Sequence, residues 1–169
     1  MNADHTTQSV DWNAVYADEL PRVYNFFRYR VCDHQVAQDL TATTFEKAWR
    51  SRDRYRRDRG GFSVWLFTIA RNVAVDYYRR RRVDVSPEVD VPSAAVPLDE
   101  AQQLRDGIQQ LKRLLAPLPP RERELVALKY GAGLTNRAIA RVTGLSETNV
   151  GTILHRLVKQ LRIQWEQEA

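Results

Sequence analysis

Three prolines in one short strip govern how this chain can fold. Residues 83–98 read VDVSPEVDVPSAAVPL. Pro87, Pro92 and Pro97 each lack a backbone donor, and each disfavours helical dihedrals in the residue before it. No apolar period runs through the strip. It is expected to be an extended or disordered linker, reaching about 50 Å at roughly 3.1 Å per residue. The 169-residue chain is thereby divided into two modules, with enough chain to bury real cores.

Both modules read as helical, and strand signals are absent, so the expected fold class is all-α. In Trp12–Tyr29, apolar residues recur at Trp12, Val15, Tyr16, Leu20, Val23 and Phe26/Phe27, a helical spacing. Pro21 is expected to kink or divide this segment. Asp33 can cap a second helix over 34–50. There Val36, Ala37, Leu40, Thr44 and Ala48 share one face, and Gln35, Asp39, Ala42, Glu46 and Arg50 share another. Residues 51–61 are charged, end in Gly60-Gly61 and read as a loop. Helix resumes over 62–82, with Leu66, Ile69, Ala70, Val73 and Tyr77 as a buried stripe. Trp65, Thr68, Asn72, Asp76 and Arg79 form a polar stripe beside it. Beyond the linker, Ala101, Leu104, Ile108, Leu111 and Leu115 repeat with helical period. Pro117, Pro119 and Pro120 then precede a helix over 121–130, ended by Gly131 and Gly133.

The net charge of +5 conceals a sharp segregation. Residues 50–82 hold 11 basic and 3 acidic side chains, whereas 83–100 hold 5 acidic and no basic ones. Residues 101–169 are basic again, and 1–49 are mildly acidic. Every basic residue in 50–82 is arginine, interleaved with Tyr55, Phe62, Trp65, Phe67, Tyr77 and Tyr78. Guanidinium groups suit phosphate, and aromatic rings suit bases, so the combination fits single-stranded nucleic acid. A solvated charged face would account for the arginine run alone.

The second module carries a helix-turn-helix. Thr135 can cap a helix over 136–142, Thr143-Gly144-Leu145 makes the turn, and Ser146 can cap the next helix with Glu147 in its first turn. Ala140, Gly144 and Val150 have the required spacing: small where helices cross, flexible in the turn, apolar where the second helix packs back. Ile139, Leu145, Ile153, Leu154, Leu157, Leu161 and Trp165 are the expected core. The opposite side of the second helix carries Thr148, Thr152, His155, Arg156 and Lys159. Small polar groups near its start can reach base edges, and basic groups further along can meet phosphates.

The whole arrangement resembles one family. DLTATTFEKAWR (39–50), FSVWLFTIARNVAVDYYRRRR (62–82), a short linker, LPPRERELVALKY (118–130) and the helix-turn-helix are together similar to the extracytoplasmic-function (ECF) sigma factors of the bacterial sigma-70 family. That resemblance implies a region 2-like domain over 10–82, a linker over 83–98 and a region 4-like four-helix domain over 99–169. It implies that the helix over 34–50 docks on the clamp helices of the largest subunit of RNA polymerase through Gln35, Asp39, Ala42, Glu46 and Arg50. The family commonly has Gln-Glu in mid-helix where this chain has Ala42-Thr43.

The resemblance further implies that 51–82 captures the non-template strand of the −10 element. Tyr55, Phe62 and Trp65 can stack on bases, although Trp65 also suits a core. Asn72 offers edge contacts, and Arg56, Arg57, Arg59, Arg71, Arg79 and Arg80 offer phosphate contacts. Region 4 would bind the −35 duplex. Glu147, Thr148, Asn149 and Thr152 are the candidate base readers, with Arg137, Arg141, Arg156 and Lys159 as phosphate contacts. Further implied partners are the flap of the second-largest polymerase subunit and an anti-sigma protein. The acidic linker would lie in the polymerase channels.

Other classes fare worse. Cys32 is the one cysteine, which excludes an internal disulfide framework and multi-Cys metal sites. His5, His34 and His155 are scattered, and Asp53, Asp58 and Asp76 each lie beside arginines. No cofactor or metal and no enzymatic activity are expected. A stand-alone helix-turn-helix regulator would explain 101–169 but not the arginine–aromatic helix. The first ten residues lack a signal-peptide pattern, and the longest nearly apolar run, Phe62–Ala70, is too short to span a membrane. The expected setting is cytoplasmic.

Overall fold

The computed structural model describes residues 11–57, 60–83 and 109–168, and among them no strand occurs. The first module comprises α1 (Trp12–Val31), α2 (His34–Arg50) and α3 (Phe62–Val83). A 3₁₀ turn, Arg52–Arg54, follows α2. The second module comprises α4 (109–115), α5 (Pro120–Val126), α6 (Asn136–Thr143) and α7 (Glu147–Glu168). Residues 84–98 of the expected linker, and the expected helix positions Ala101, Leu104 and Ile108, lie outside the described residues.

Asp11 caps α1, its Oδ1 accepting from the amides of Asn13 at 3.1 Å and Ala14 at 3.3 Å. The helix then continues through Pro21 as a single element, where the sequence suggested a kink or division. An interior proline costs about 3 kcal/mol. Val23, Phe26 and Phe27 are fully buried just beyond it, and each such burial contributes about 2–3 kcal/mol, so packing outweighs the lost bond. α1 stops at Cys32, which adopts a left-handed φ of 56° while its amide donates to the Arg28 carbonyl at 3.1 Å. Asp33 then caps α2, accepting from the Val36 amide at 2.8 Å. This two-residue joint lays α2 back against α1.

The face that α2 buries is Ala37, Thr41, Thr44 and Ala48. Thr41 joins it because its hydroxyl donates to the Ala37 carbonyl at 2.6 Å and so enters the core satisfied. Val36 and Leu40 lie at the margin. On α3 the buried stripe is Leu66, Phe67, Ala70, Val73 and Ala74. Ile69 and Tyr77, expected in that stripe, are only partly covered. The stripe is rotated toward Phe67 because that ring packs edge-on to Phe26, 5.9 Å away.

In the second module, α5 passes without a break into a π-helical turn, Ala127–Gly131. Thr135 caps α6, accepting from the Ala138 amide at 3.1 Å, and Ser146 caps α7, accepting from the Asn149 amide at 3.1 Å. Between them Gly144 has a φ of +77°, a conformation open to glycine and strained for other residues. Val150 is fully buried where α7 crosses back. Trp165, expected in the core, is instead 41% exposed, because the last turns of α7 run past the helices that could cover them.

The two modules meet across one continuous core. Val23, Phe26, Phe27, Leu66 and Phe67 of the first belong to the same cluster as Leu125, Leu128, Leu134 and Ile139 of the second. α1 packs on the π-helical turn, and α3 packs on α6. A second cluster of Leu115, Leu118, Val126 and Leu157 is flanked by Tyr29 and Cys32 of the first module.

Candidate nucleic-acid interface

The 51–61 loop and the start of α3 gather a nest of aromatic rings. Tyr55 lies 5.4 Å from both Phe62 and Trp65, and Phe62 lies 5.4 Å from Trp65. Trp12, from the first turn of α1, closes the nest edge-on at 5.7 Å from Phe62 and 6.3 Å from Trp65. The three sequence-derived stacking candidates are therefore brought together, each partly covered. They support one another in edge-to-face contacts and present rims as well as faces.

Trp49 and Trp12 were missed from the sequence. Trp49 is 51% exposed at the end of α2, 5.4 Å from Trp12, and the Arg52 guanidinium sits 4.3 Å from its ring centre. Its one readable signal was its position beside the arginine loop. The contact with Trp12 spans most of α1 and α2 and leaves no local pattern.

Around this nest the arginines differ. Arg56 and Arg57 are exposed beside Tyr55, and Arg59 lies outside the described residues. Asn72, Arg79 and Arg80 are exposed along α3. Arg79 pairs with Asp76 at 3.2 Å, which Lys47 also approaches at 3.4 Å. Arg71 points away from this face: its Nε donates to Glu124 of the second module at 2.8 Å.

The face of α2 proposed from the resemblance is exposed throughout, at Gln35, Asp39, Ala42, Glu46 and Arg50. Its polar groups pair along the helix, Gln35 donating to Asp39 at 3.1 Å and Arg50 bridging to Glu46 at 2.6 Å.

On α7, Glu147, Thr148, Asn149, Thr152, Arg156 and Lys159 are all exposed on one side. Thr152 donates to the Thr148 carbonyl at 3.0 Å, while Arg156 pairs with Glu122 at 2.5 Å. Arg137 and Arg141 of α6 are exposed, and Arg137 approaches Glu147 at 3.7 Å. Neutral hydroxyl and amide groups thus sit at the N-terminal end of α7 with cations further along, an order suited to a helix entering a major groove. Among the described residues, no group of three or more His, Cys, Asp or Glu side chains is placed to hold a metal ion.

A helix-turn-helix with an outward polar face, joined to a helical module bearing an arginine–aromatic nest, defines a two-module helical DNA-binding protein. Residues 15–83 match the family model for Sigma-70 region 2, and residues 108–161 match that for Sigma-70, region 4. The chain is 34% identical to the RNA polymerase sigma factor CarQ of Myxococcus xanthus, over 88% of this chain and 85% of CarQ. It is 31% identical to the ECF RNA polymerase sigma factor BldN of Streptomyces coelicolor, over 82% of this chain but only 54% of BldN. It thus spans about half the length of that relative. In fold it is similar to the sigma factor RpoE solved in complex with the anti-sigma factor NepR from Bartonella quintana. That match has a TM-score of 0.72 and 24% identity, covering 94% of this chain and 98% of the other. It is also similar to CnrH solved in complex with the cytosolic domain of CnrY, with a TM-score of 0.65 and 22% identity over 92% and 86% of the two chains. The chain belongs to the ECF group of the sigma-70 family of RNA polymerase sigma factors.

Proposed function

We propose that this protein confers promoter specificity on core RNA polymerase, acting as an initiation factor and not as an enzyme. The observation that carries the reading is the presence, in one chain, of two outward nucleic-acid faces of different character. The Tyr55–Phe62–Trp65 nest with Asn72 and its arginines suits an opened strand, and α7 suits a duplex groove. Residues 10–82 capture the −10 strand, with Tyr55, Phe62 and Trp65 stacking, Asn72 reading an extruded base, and Arg56, Arg57, Arg59, Arg71, Arg79 and Arg80 holding phosphates. Residues 99–169 bind the −35 element through Glu147, Thr148, Asn149 and Thr152 on bases and Arg137, Arg141, Arg156 and Lys159 on phosphates. Residues 83–98 join the two domains. Gln35, Asp39, Ala42, Glu46 and Arg50 meet the clamp helices, and the second domain meets the flap.

The two structural relatives were solved with inhibitory or cytosolic partners, which supports an anti-sigma protein as a regulator here. The setting is cytoplasmic, where polymerase acts. Among the described residues no helix is long and apolar enough to cross a membrane.

The test is transcription of a genomic fragment pool by core polymerase with and without the protein, followed by transcript sequencing. New start sites sharing a −10 and a −35 sequence are expected, together with co-elution of the protein and core polymerase. Co-elution without any new start site, or no co-elution at all, would overturn the reading.

A further inference from the structure

The contacts between the two modules are made by backbone and buried charge as well as by apolar side chains. Arg22 of α1 is held in the first module by Glu19 at 2.8 Å and Ser63 at 3.2 Å, and its Nε donates to the Ala132 carbonyl of the second at 2.8 Å. Arg71 of α3 reaches Glu124 of α5 at 2.8 Å, and Glu124 is 5% exposed. Gly131 is seated directly on the α1 backbone. A Cβ placed there would lie 2.8 Å from the Asn25 carbonyl oxygen and 3.1 Å from the Phe26 Cα. All of the nearest atoms belong to the other module, so the glycine is required by the docking and not by the fold of its own helix.

This docked arrangement is incompatible with the proposed promoter contacts. The −10 and −35 elements lie about 25 base pairs apart, or about 85 Å at roughly 3.4 Å per step. A compact chain of this length has a radius of gyration of about 15 Å, hence a span of about 40 Å. Docked modules cannot reach both elements at once, whereas residues 84–108 supply a tether of roughly 75 Å when extended. Docking also removes Arg71 from the α3 face, turning its Nε onto Glu124.

The interface is built to release. Arg30, 6% exposed, stacks at 4.9 Å on Tyr78, and Arg123 approaches the same tyrosine from the second module. Arg30, Arg71 and Arg123 thus converge near one carboxylate, Glu124. The Nε atoms of Arg30 and Arg123 are buried and lack hydrogen-bond partners. A buried excess of positive charge with orphaned donors opposes the apolar contacts around it, leaving the closed state only moderately favoured.

We propose that the free chain holds itself shut through this interface, with Gly131 on the Asn25 carbonyl and Glu124 on Arg71 as the latch, and that promoter engagement requires the latch to open. The proposal rests on the sigma-factor reading for its consequence but not for its physical content.

The test is small-angle X-ray scattering of the free full chain, comparing wild type with Gly131→Ala and Glu124→Gln. Gly131 has no positive φ, so alanine suits its own helix and clashes only across the interface. Glu124→Gln leaves the clustered guanidinium groups without their counter-charge. Both variants are expected to keep the wild-type circular dichroism while their radius of gyration rises by several ångström. If nine wild-type molecules in ten are closed, the variants half-saturate core polymerase at about tenfold lower concentration. A wild type already extended, or two helical variants whose scattering superimposes on it, would overturn the latch. Should Gly131→Ala lose helicity, wild type and Glu124→Gln decide the matter. Loss of promoter-specific transcription in all three proteins, with the scattering change intact, would instead overturn the sigma reading.

Discussion

The Ser63 hydroxyl donates to the Glu19 carboxylate at 2.6 Å, joining the start of α3 to the middle of α1. Arg22 completes the group with both Nη1 contacts on Glu19, at 2.8 and 2.9 Å. Glu19 is almost fully buried, so its charge is tolerated only because both partners are in place. Glu19→Ala leaves Arg22, itself partly exposed, without its partner and Ser63 without its acceptor. We expect a loss of about 2 kcal/mol, read as a lower urea midpoint with an unchanged slope.

A second prediction concerns alkaline pH. The Tyr78 hydroxyl donates to the Arg30 carbonyl at 2.6 Å. Burial raises its pKa above the ordinary value of 10.0, with Arg30 opposing. Burial likewise raises the Cys32 thiol above 9.0. In both cases the unfolded chain releases its proton first, so stability present at neutral pH is lost as pH rises through the folded values. Urea unfolding at about pH 8 and about pH 10.5 should show this fall. Tyr78→Phe should lose about 1 kcal/mol at neutral pH and show a shallower alkaline decline. An equally steep decline in the variant would place the titration elsewhere.

Trp12→Ala removes the ring that touches Trp49, Phe62 and Trp65. Each edge-to-face pair contributes about 0.5–1.5 kcal/mol beyond area burial. The expected destabilisation is about 2 kcal/mol by thermal unfolding, with weaker capture of a single-stranded −10 oligonucleotide because the nest loosens. Unchanged strand capture would show that Trp12 props the core alone.

Asn72→Ala tests strand reading. The side chain is exposed, so stability should change by less than about 0.5 kcal/mol. Permanganate footprinting should report reduced promoter opening, while closed-complex retention on duplex DNA stays near wild type. Equal losses in both assays would remove Asn72 from the base-reading role.

Thr148→Ala combined with Thr152→Ala should alter −35 sequence preference in a binding-selection assay, by about 1–3 kcal/mol at the affected position. Lys159→Ala should instead weaken binding across all sequences and reduce the salt slope by about one. An unchanged preference in the double variant would move base reading to Glu147 or Asn149.

Much of the local structure was legible along the chain. Asp33, Thr135 and Ser146 each cap the helix expected of them, because a cap is a contact between residues two or three positions apart. Gly144 takes the left-handed turn between α6 and α7 for the same local reason. Other features depended on distant partners. Pro21 stays inside α1 because the Val23, Phe26 and Phe27 side chains are buried. The α3 stripe turns toward Phe67 because Phe26 is there to receive it.

What the sequence by itself determined is the set of helices, their ends, the helix-turn-helix and the segregation of arginine from acid. All of these follow from periodicity, capping and composition within a few turns of chain. What only the tertiary structure decided is which of those residues meet. It set Trp12 against Trp49, turned Arg71 from the strand-reading face onto Glu124, and seated Gly131 on the α1 backbone. Such meetings depend on how two helical modules dock, and docking is fixed by shape and by the desolvation of a few charges. Neither leaves a period that can be read along one strand of sequence.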